Sequence, residues 1–189
     1  MLPAAARVSS ICGIRASLSI RYFYMTIVPL LYAHWPAVRA IYQDNLPIGE
    51  ALPGPEAPTW ETWDQTHLTH SRLVVEADTG EVVGWAALRP LSERGVESDT
   101  AILRLYLTPH ARYQGVGTFL LQTLLAESKK HGISIVRTEV GEENLADIEW
   151  YVLIGFRTAG YQERSEHFQG PRHNMAQLEW HSPTAGPAL

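Results

Sequence analysis

The stretch from Leu105 to Gly117, LYLTPHARYQGVG, has the residue types and spacing that hold a phosphate. A β-prone run stops at Thr108-Pro109. A loop carrying Arg112 follows, and Gly115 and Gly117 stand one residue apart at the head of a long helical pattern, TFLLQTLLAESKKHG. In that order the loop amides can converge, and the unsatisfied N–H groups of the helix's first turn add partial positive charge. Glycine serves there because a phosphate must come close to the backbone and because positive φ is open to it. Spacing excludes two familiar phosphate readers. A P-loop needs Lys-Ser or Lys-Thr after its glycines, and a dinucleotide fingerprint needs a third glycine; neither occurs. Taken alone, Gly-x-Gly at a helix start is also an ordinary tight turn.

The wider pattern is more specific. Arg112-Tyr113-Gln114-Gly115-Val116-Gly117 fits R/Q-x-x-G-x-G/A, and Asn144, Ala146 and Tyr151-Val152-Leu153-Ile154-Gly155-Phe156 follow downstream. On these two segments the chain resembles the GNAT superfamily of N-acetyltransferases. Pro36 to Tyr42, Pro58 to Trp63 and Arg172 to Met175 are further similar to the phosphinothricin (methionine sulfone) acetyltransferase branch, over residues 26–181.

The resemblance implies a mixed, mainly antiparallel sheet with helices on both faces, an α+β (three-layer α/β) domain in which two central strands part around acetyl-CoA. The main chain of Leu105, Tyr106 and Leu107 would bond the pantetheine arm like an added strand, and an amide there would steady developing oxyanion charge. The diphosphate would lie on Arg112, Tyr113, Gln114, Gly115, Val116 and Gly117, with Thr118 at the rim and Asn144 on the cofactor's arm. Tyr151 would be the general acid for the departing thiolate, since phenols ordinarily titrate near ~10. From spacing alone Asn144 is equally a helix cap, and Tyr151 also reads as a core tyrosine.

The branch carries Glu where this chain has Ile102, which cannot take a proton. The general base is left among Glu50, Asp99 and a water chain, and phosphinothricin itself comes into question as the acceptor. Arg104, with Arg72, Arg89 and His173, is a candidate clamp for a substrate carboxylate. Alternation puts Arg104 on the opposite face from Leu103 and Leu105, where a solvated position or a structural ion pair is the commoner fate. Trp60, Trp63 and Trp85 could wall an acceptor site or simply pack the core. The leading expectation is transfer of acetyl from acetyl-CoA to a small-molecule amine, an amino-acid analogue of the phosphinothricin or methionine sulfone type. Alternatives are a polyamine, an antibiotic amine or a protein N-terminus as acceptor, or an acetyl-CoA-binding sensor or structural protein with little catalysis. A homodimer is implied by the resemblance.

Composition narrows the field. Its 189 residues with 46% apolar content suffice for one well-packed domain. The net charge of −5 and the lack of a Lys/Arg run disfavour nucleic acid and anionic membranes as partners. The single cysteine, Cys12, allows no internal disulfide, which fits a reducing, cytoplasmic setting. The histidines show no metal-ligand spacing, so no metal is expected. Residues 1–24 contain three arginines, several serines and no acid; they read as an extension, either a disordered tail or a stretch ahead of a true start at Met25, or as a targeting segment. The domain is then 25–181, with 182–189 a tail.

The elements that must position these residues are legible in outline. Strands are expected at 26–31, 72–76, 81–88, 100–107, 133–139, 156–168 and 175–180. Helices are expected at 34–44, after an N-cap at Thr59, at 117–131 and at 145–154. Val116, Leu120, Leu121, Leu124 and Leu125 make the buried stripe of the main helix.

Overall fold

The computed structural model describes residues 6–10, 23–45, 57–91, 99–163 and 174–183. Eight strands form one sheet: β1 (Ala6–Ser10), β2 (Phe23–Pro29), β3 (Arg72–Ala77), β4 (Val82–Pro90), β5 (Thr100–Leu107), β6 (Ile135–Gly141), β7 (Arg157–Glu163) and β8 (Asn174–His181). Their spatial order is β1-β2-β3-β4-β5-β6-β8-β7. Every neighbouring pair is antiparallel except β5 and β6. Four α-helices accompany it among the described residues: α1 (Trp35–Asn45), α2 (Trp60–Thr66), α3 (Val116–Lys130) and α4 (Leu145–Ile154). The mixed, mainly antiparallel sheet with helices on both faces is therefore as expected. One strand was not foreseen: β1 lies in the N-terminal extension and pairs with β2 from Ala6↔Ile27 to Ser10↔Phe23.

Burial divides the helices between the two faces. On one, α3 buries Val116, Leu120, Leu121, Leu124 and Leu125, and α4 contributes Tyr151, against Leu73, Val75, Val83, Leu88, Leu103 and Val136. On the other, Trp35, Val38 and Ile41 of α1 and Trp63 of α2 cover Val74, Trp85, Ala87 and Tyr106. Successive residues of a strand face opposite ways, so β5 sends Leu103, Leu105 and Leu107 toward α3 and Tyr106 toward α1.

The main departure from a continuous sheet lies between β5 and β6. Thr100↔Ile135, Ala101↔Val136 and Ile102↔Arg137 are in register, and there the pairing ends. Beyond it β6 stays with β8 as far as Gly141↔Met175, and β5 stays with β4 as far as Leu107↔Gly84. The two strands share a base and then part.

The α2 end is sealed by His67. Its ring stacks on Trp63 at 4.2 Å. Nδ1 lies 2.7 Å from the Trp63 carbonyl, which can only accept, so Nδ1 carries the proton. Burial lowers the ring's pKa from 6.5 to about 4; the carbonyl bond opposes this, and the charges of Arg89, Arg72 and Arg104 add to it. The unfolded ring takes a proton near 6.5 and the folded ring resists it, so stability falls as pH drops from about 6.5 to about 4. The loss is on the order of 3 kcal/mol. Asp99, Glu127 and Glu179, all held below their ordinary range, act at lower pH and are common to wild type and variant. Urea unfolding at stepped pH should show a shallower slope across this window for His67→Gln; an identical slope would refute the assignment.

Candidate active site

The site grows from the open edge of β5. Thr108 N–H donates to the Val83 carbonyl at 2.9 Å, in register with the β4 pairing. In an antiparallel ladder such bonded pairs recur every second residue. Tyr106 and Arg104 therefore spend their main-chain groups on β4, while those of Leu105 and Leu107 point to the side that β6 has left. The Leu107 carbonyl accordingly lies 3.5 Å from Asn45 Nδ2, at the end of α1.

A single 3-10 turn, Pro109–Ala111, carries the chain from β5 into the loop. Tyr113 has φ 60 and Gly115 φ 79, and these two left-handed residues fold the loop back over the start of α3. No side chain caps that helix, whose first return bond is Phe119 N–H to the Gly115 carbonyl at 3.1 Å. The amides of Val116, Gly117 and Thr118 thus precede the intrahelical ladder, at the positive end of a 15-residue helix. Gly117 is a glycine for a different reason from Gly115. A Cβ there would stand 3.2 Å from Leu107 Cδ1 and 3.4 Å from the Trp150 ring.

Two contacts hold the loop in place. Arg112 Nη2 donates to Asn45 Oδ1 at 2.6 Å, while Asn45 Nδ2 donates to the Ile41 carbonyl at 2.7 Å. Asn45 is buried, so it ties the end of α1 to the loop. Across the gap, Trp150 Nε1 donates to Thr118 Oγ1 at 2.9 Å. That bond uses an oxygen lone pair and leaves the Thr118 hydroxyl hydrogen to donate elsewhere. The far wall is α4, whose N-cap Asn144 accepts from Asp147 N–H at 3.3 Å. Tyr151, 8% exposed, packs edge-on between Trp150 and Phe156 at 4.6 and 5.0 Å.

These parts enclose a cleft of about 590 Å³. Leu105, Tyr106, Leu107, Arg112, Tyr113, Gly115, Gly117 and Thr118 line one side, and Asn144 and Tyr151 line the other. Gln114 turns away and donates to the His110 carbonyl at 2.6 Å. The Val116 side chain sits in the core beneath α3. Glu50 and His173 lie outside the described residues. Asp99 is at the opposite end of β5, where Ser134 and Thr100 donate to its carboxylate, and it is not among the cleft's lining residues. Sequence reasoning missed Asn45 and Trp150. Neither belongs to a motif, and each is brought in only by the tertiary fold.

Arg72, Arg89 and Arg104 lie together on the α1 side of the sheet. Arg72 pairs with Ala87 across β3–β4, and Ala87 pairs with Arg104 across β4–β5. Arg72 is fully engaged: it donates to the Asp64 carboxylate and to the Leu68 and His67 carbonyls, and lies 5.4 Å over Trp63. Trp63 and Trp85 are core, 1% and 0% exposed. Among the described residues no cluster of three or more His, Cys, Asp or Glu could hold a metal, and no helix is long and apolar enough to cross a membrane.

Comparison with known proteins agrees with this geometry. A family profile described as the acetyltransferase (GNAT) family matches residues 35–156. YwnH of Bacillus subtilis (strain 168), provisionally named a phosphinothricin acetyltransferase, is 26% identical over 144 residues, or 74% of this chain and 88% of its own length. A solved phosphinothricin acetyltransferase from Sinorhizobium meliloti, in complex with acetyl-CoA, aligns with a TM-score of 0.72 at 19% identity, covering 86% of this chain and 94% of that one. The ribosomal-protein-S18-alanine N-acetyltransferase of Escherichia coli aligns at 0.67 and 23% identity, covering 87% and 98%. At such identities the structural likeness is one of fold, and this fold serves enzymes named for acceptors as different as phosphinothricin and a ribosomal protein.

Proposed function

We propose, because this chain belongs to the acetyltransferase (GNAT) family, that it transfers the acetyl group of acetyl-CoA to the amine of a small molecule, an amino-acid analogue of the phosphinothricin or methionine sulfone type. The observation that carries the reading is the coincidence of three features in one cleft: the vacated edge of β5, the uncapped start of α3, and Tyr151 on the facing helix. An elongated, phosphate-bearing acyl carrier suits this donor set. The amides from Tyr113 to Thr118 and the Arg112 guanidinium would hold its diphosphate, and the Thr118 hydroxyl hydrogen is available at the rim. The Leu105 and Leu107 main chain would take its amide arm as an added strand. When bound, acetyl-CoA supplies an activated acyl group as a thioester.

The chain's own residues supply the rest. The β5 edge fixes the acyl carrier against a rigid strand, and Asn45 and Trp150 steady the loop and the rim from either side. Ile102 and Leu103 cannot take a proton, so the acceptor must lose its ammonium proton to water or to a group outside the β5 edge. Tyr151 donates its phenolic proton to the departing sulfur, a role supported by its place in the cleft wall. YwnH's name and the Sinorhizobium enzyme's support the amino-acid-analogue acceptor. The direct assay follows thiol release from acetyl-CoA against a panel of primary amines, beginning with methionine sulfone and phosphinothricin. Tight acetyl-CoA binding without turnover on any amine would replace this reading with that of an acetyl-CoA sensor.

Two substitutions test the parts. Gly117→Val would push on the side chains of Leu107 and Trp150 at 3.2 and 3.4 Å, which need give by only a few tenths of an ångström, so the fold should survive. Calorimetry should then show acetyl-CoA binding weakened by about tenfold or more, roughly 1.4 kcal/mol. Tyr151→Phe should lower kcat by about 100-fold while the KM for acetyl-CoA hardly moves. An unaltered kcat would remove Tyr151 from the chemistry.

A further inference from the structure

Among the described residues, nothing neutralises two of the three arginines on the α1 face. Arg72 is paired with Asp64 and capped by carbonyls, but Arg104 and Arg89 enter no ion pair or hydrogen bond among the described residues. Arg89 Nε is buried and without a partner. A buried guanidinium N–H left unpaired is costly, and natural structures seldom retain one without a use. The chain as a whole carries a net charge of −5, so this local excess of positive charge runs against its average.

The placement is specific. Arg104 stands beside Ala87, whose small, fully buried side chain is the residue between Arg104 and Arg72 across the sheet. Arg89 lies two residues further along β4, on the same face, beside Ile102. Tyr106 lies two residues from Arg104 in the other direction, again on the same face, and lines the cleft. Two residues of strand span about 6.8 Å, so Arg104 begins one side-chain spacing from the Tyr106 wall of the cleft, and Arg89, level with Ile102, begins about twice as far away. His67, close enough to feel the charges of Arg89 and Arg104, is kept neutral by burial and offers them no negative charge.

We propose that Arg104 and Arg89 form the subsite that reads a carboxylate on the acceptor amine. The planar forks of two guanidiniums match a carboxylate's paired oxygens, and an arriving carboxylate would satisfy the donors the fold leaves open. The same pair repels a polycation, so it selects an amino acid over a polyamine. This inference rests on the acetyl-transfer reading and adds to it the residues that recognise the acceptor's carboxylate.

The test uses matched amines with and without the carboxylate: L-methionine sulfone against 3-(methylsulfonyl)propylamine, L-phenylalanine against phenethylamine, and L-lysine against cadaverine. The wild-type chain should favour the carboxylate member of at least one pair. Arg104→Met should lower kcat/KM for that member by about 10- to 100-fold, the worth of one charge-assisted hydrogen bond, and leave its decarboxylated match within about threefold. Arg104→Lys, which keeps the charge and loses the fork, should fall between. Calorimetry on the same pairs reads the subsite without turnover. Carboxylate binding that disappears in Arg104→Met, in a chain that releases no thiol, would uphold the subsite and discard the acetyl-transfer reading. Equal losses for both members of a pair would show a purely structural arginine and overturn the proposal. So would a wild-type preference for the decarboxylated amine in every pair.

Discussion

The structure turns on one interruption: β5 and β6 share three register pairs and then separate. A strand edge in the middle of a sheet is a liability, because its N–H and C=O groups must find partners in a place where solvent is restricted. Each strand is committed elsewhere, β5 to β4 along its full length and β6 to β8, so neither can close the gap without losing a complete ladder. Both ends of the gap are also set. Asp99 joins its base, since its carbonyl accepts from Ser134 and Ile135 N–H at 2.8 and 3.0 Å. The indole of Trp150 reaches the first turn of α3 at its mouth. An opening so constrained is a fixed slot, and the group that fills it must bring its own extended chain of donors and acceptors.

The local parts of this arrangement are legible in the sequence. The strand 100–107, the helix 145–154 and the cap at Thr59 fall where periodicity and capping put them, because each depends on neighbours within a turn or two. The cradle is legible for the same reason, being one continuous strand, loop and helix. What resists reading is whatever depends on distant partners. The parting of β5 from β6 is not written in either strand, since both look like ordinary buried strands and the break follows from their other neighbours. Asn45 lies 67 residues from Arg112, and nothing in its own surroundings marks it. The segment Ala6–Ser10 is too short for its alternation to mark it, and it pairs along the edge that β2 offers.

Gly117 shows how one position can answer two separate demands. The motif makes it a glycine so that a phosphate can approach. The folded chain adds a second demand, since Leu107 and Trp150 already occupy the space a side chain would need. The aromatic residues resolve in a similar way. Trp63 and Trp85, which could equally have walled a pocket, are fully buried, and their indole nitrogens are unpaired. Together they form an apolar floor on the α1 side of the sheet.

One strand then serves three surfaces. The side chains of Leu103, Leu105 and Leu107 pack toward α3 and anchor the cradle helix. Arg104 and Tyr106 face α1, and Tyr106 lines the cleft, while the main chain between them faces the slot. Because the side-chain period is two, a slip of one residue against β4 would send the leucines toward α1 and the arginine into the core under α3. The pairing of β5 with β4, unbroken from Ala101↔Pro90 to Leu107↔Gly84, is what forbids that slip. It keeps the two faces of the site and the edge between them in a fixed relation, so that anything held along the β5 main chain is presented at a constant distance from whatever Arg104 and Tyr106 contact.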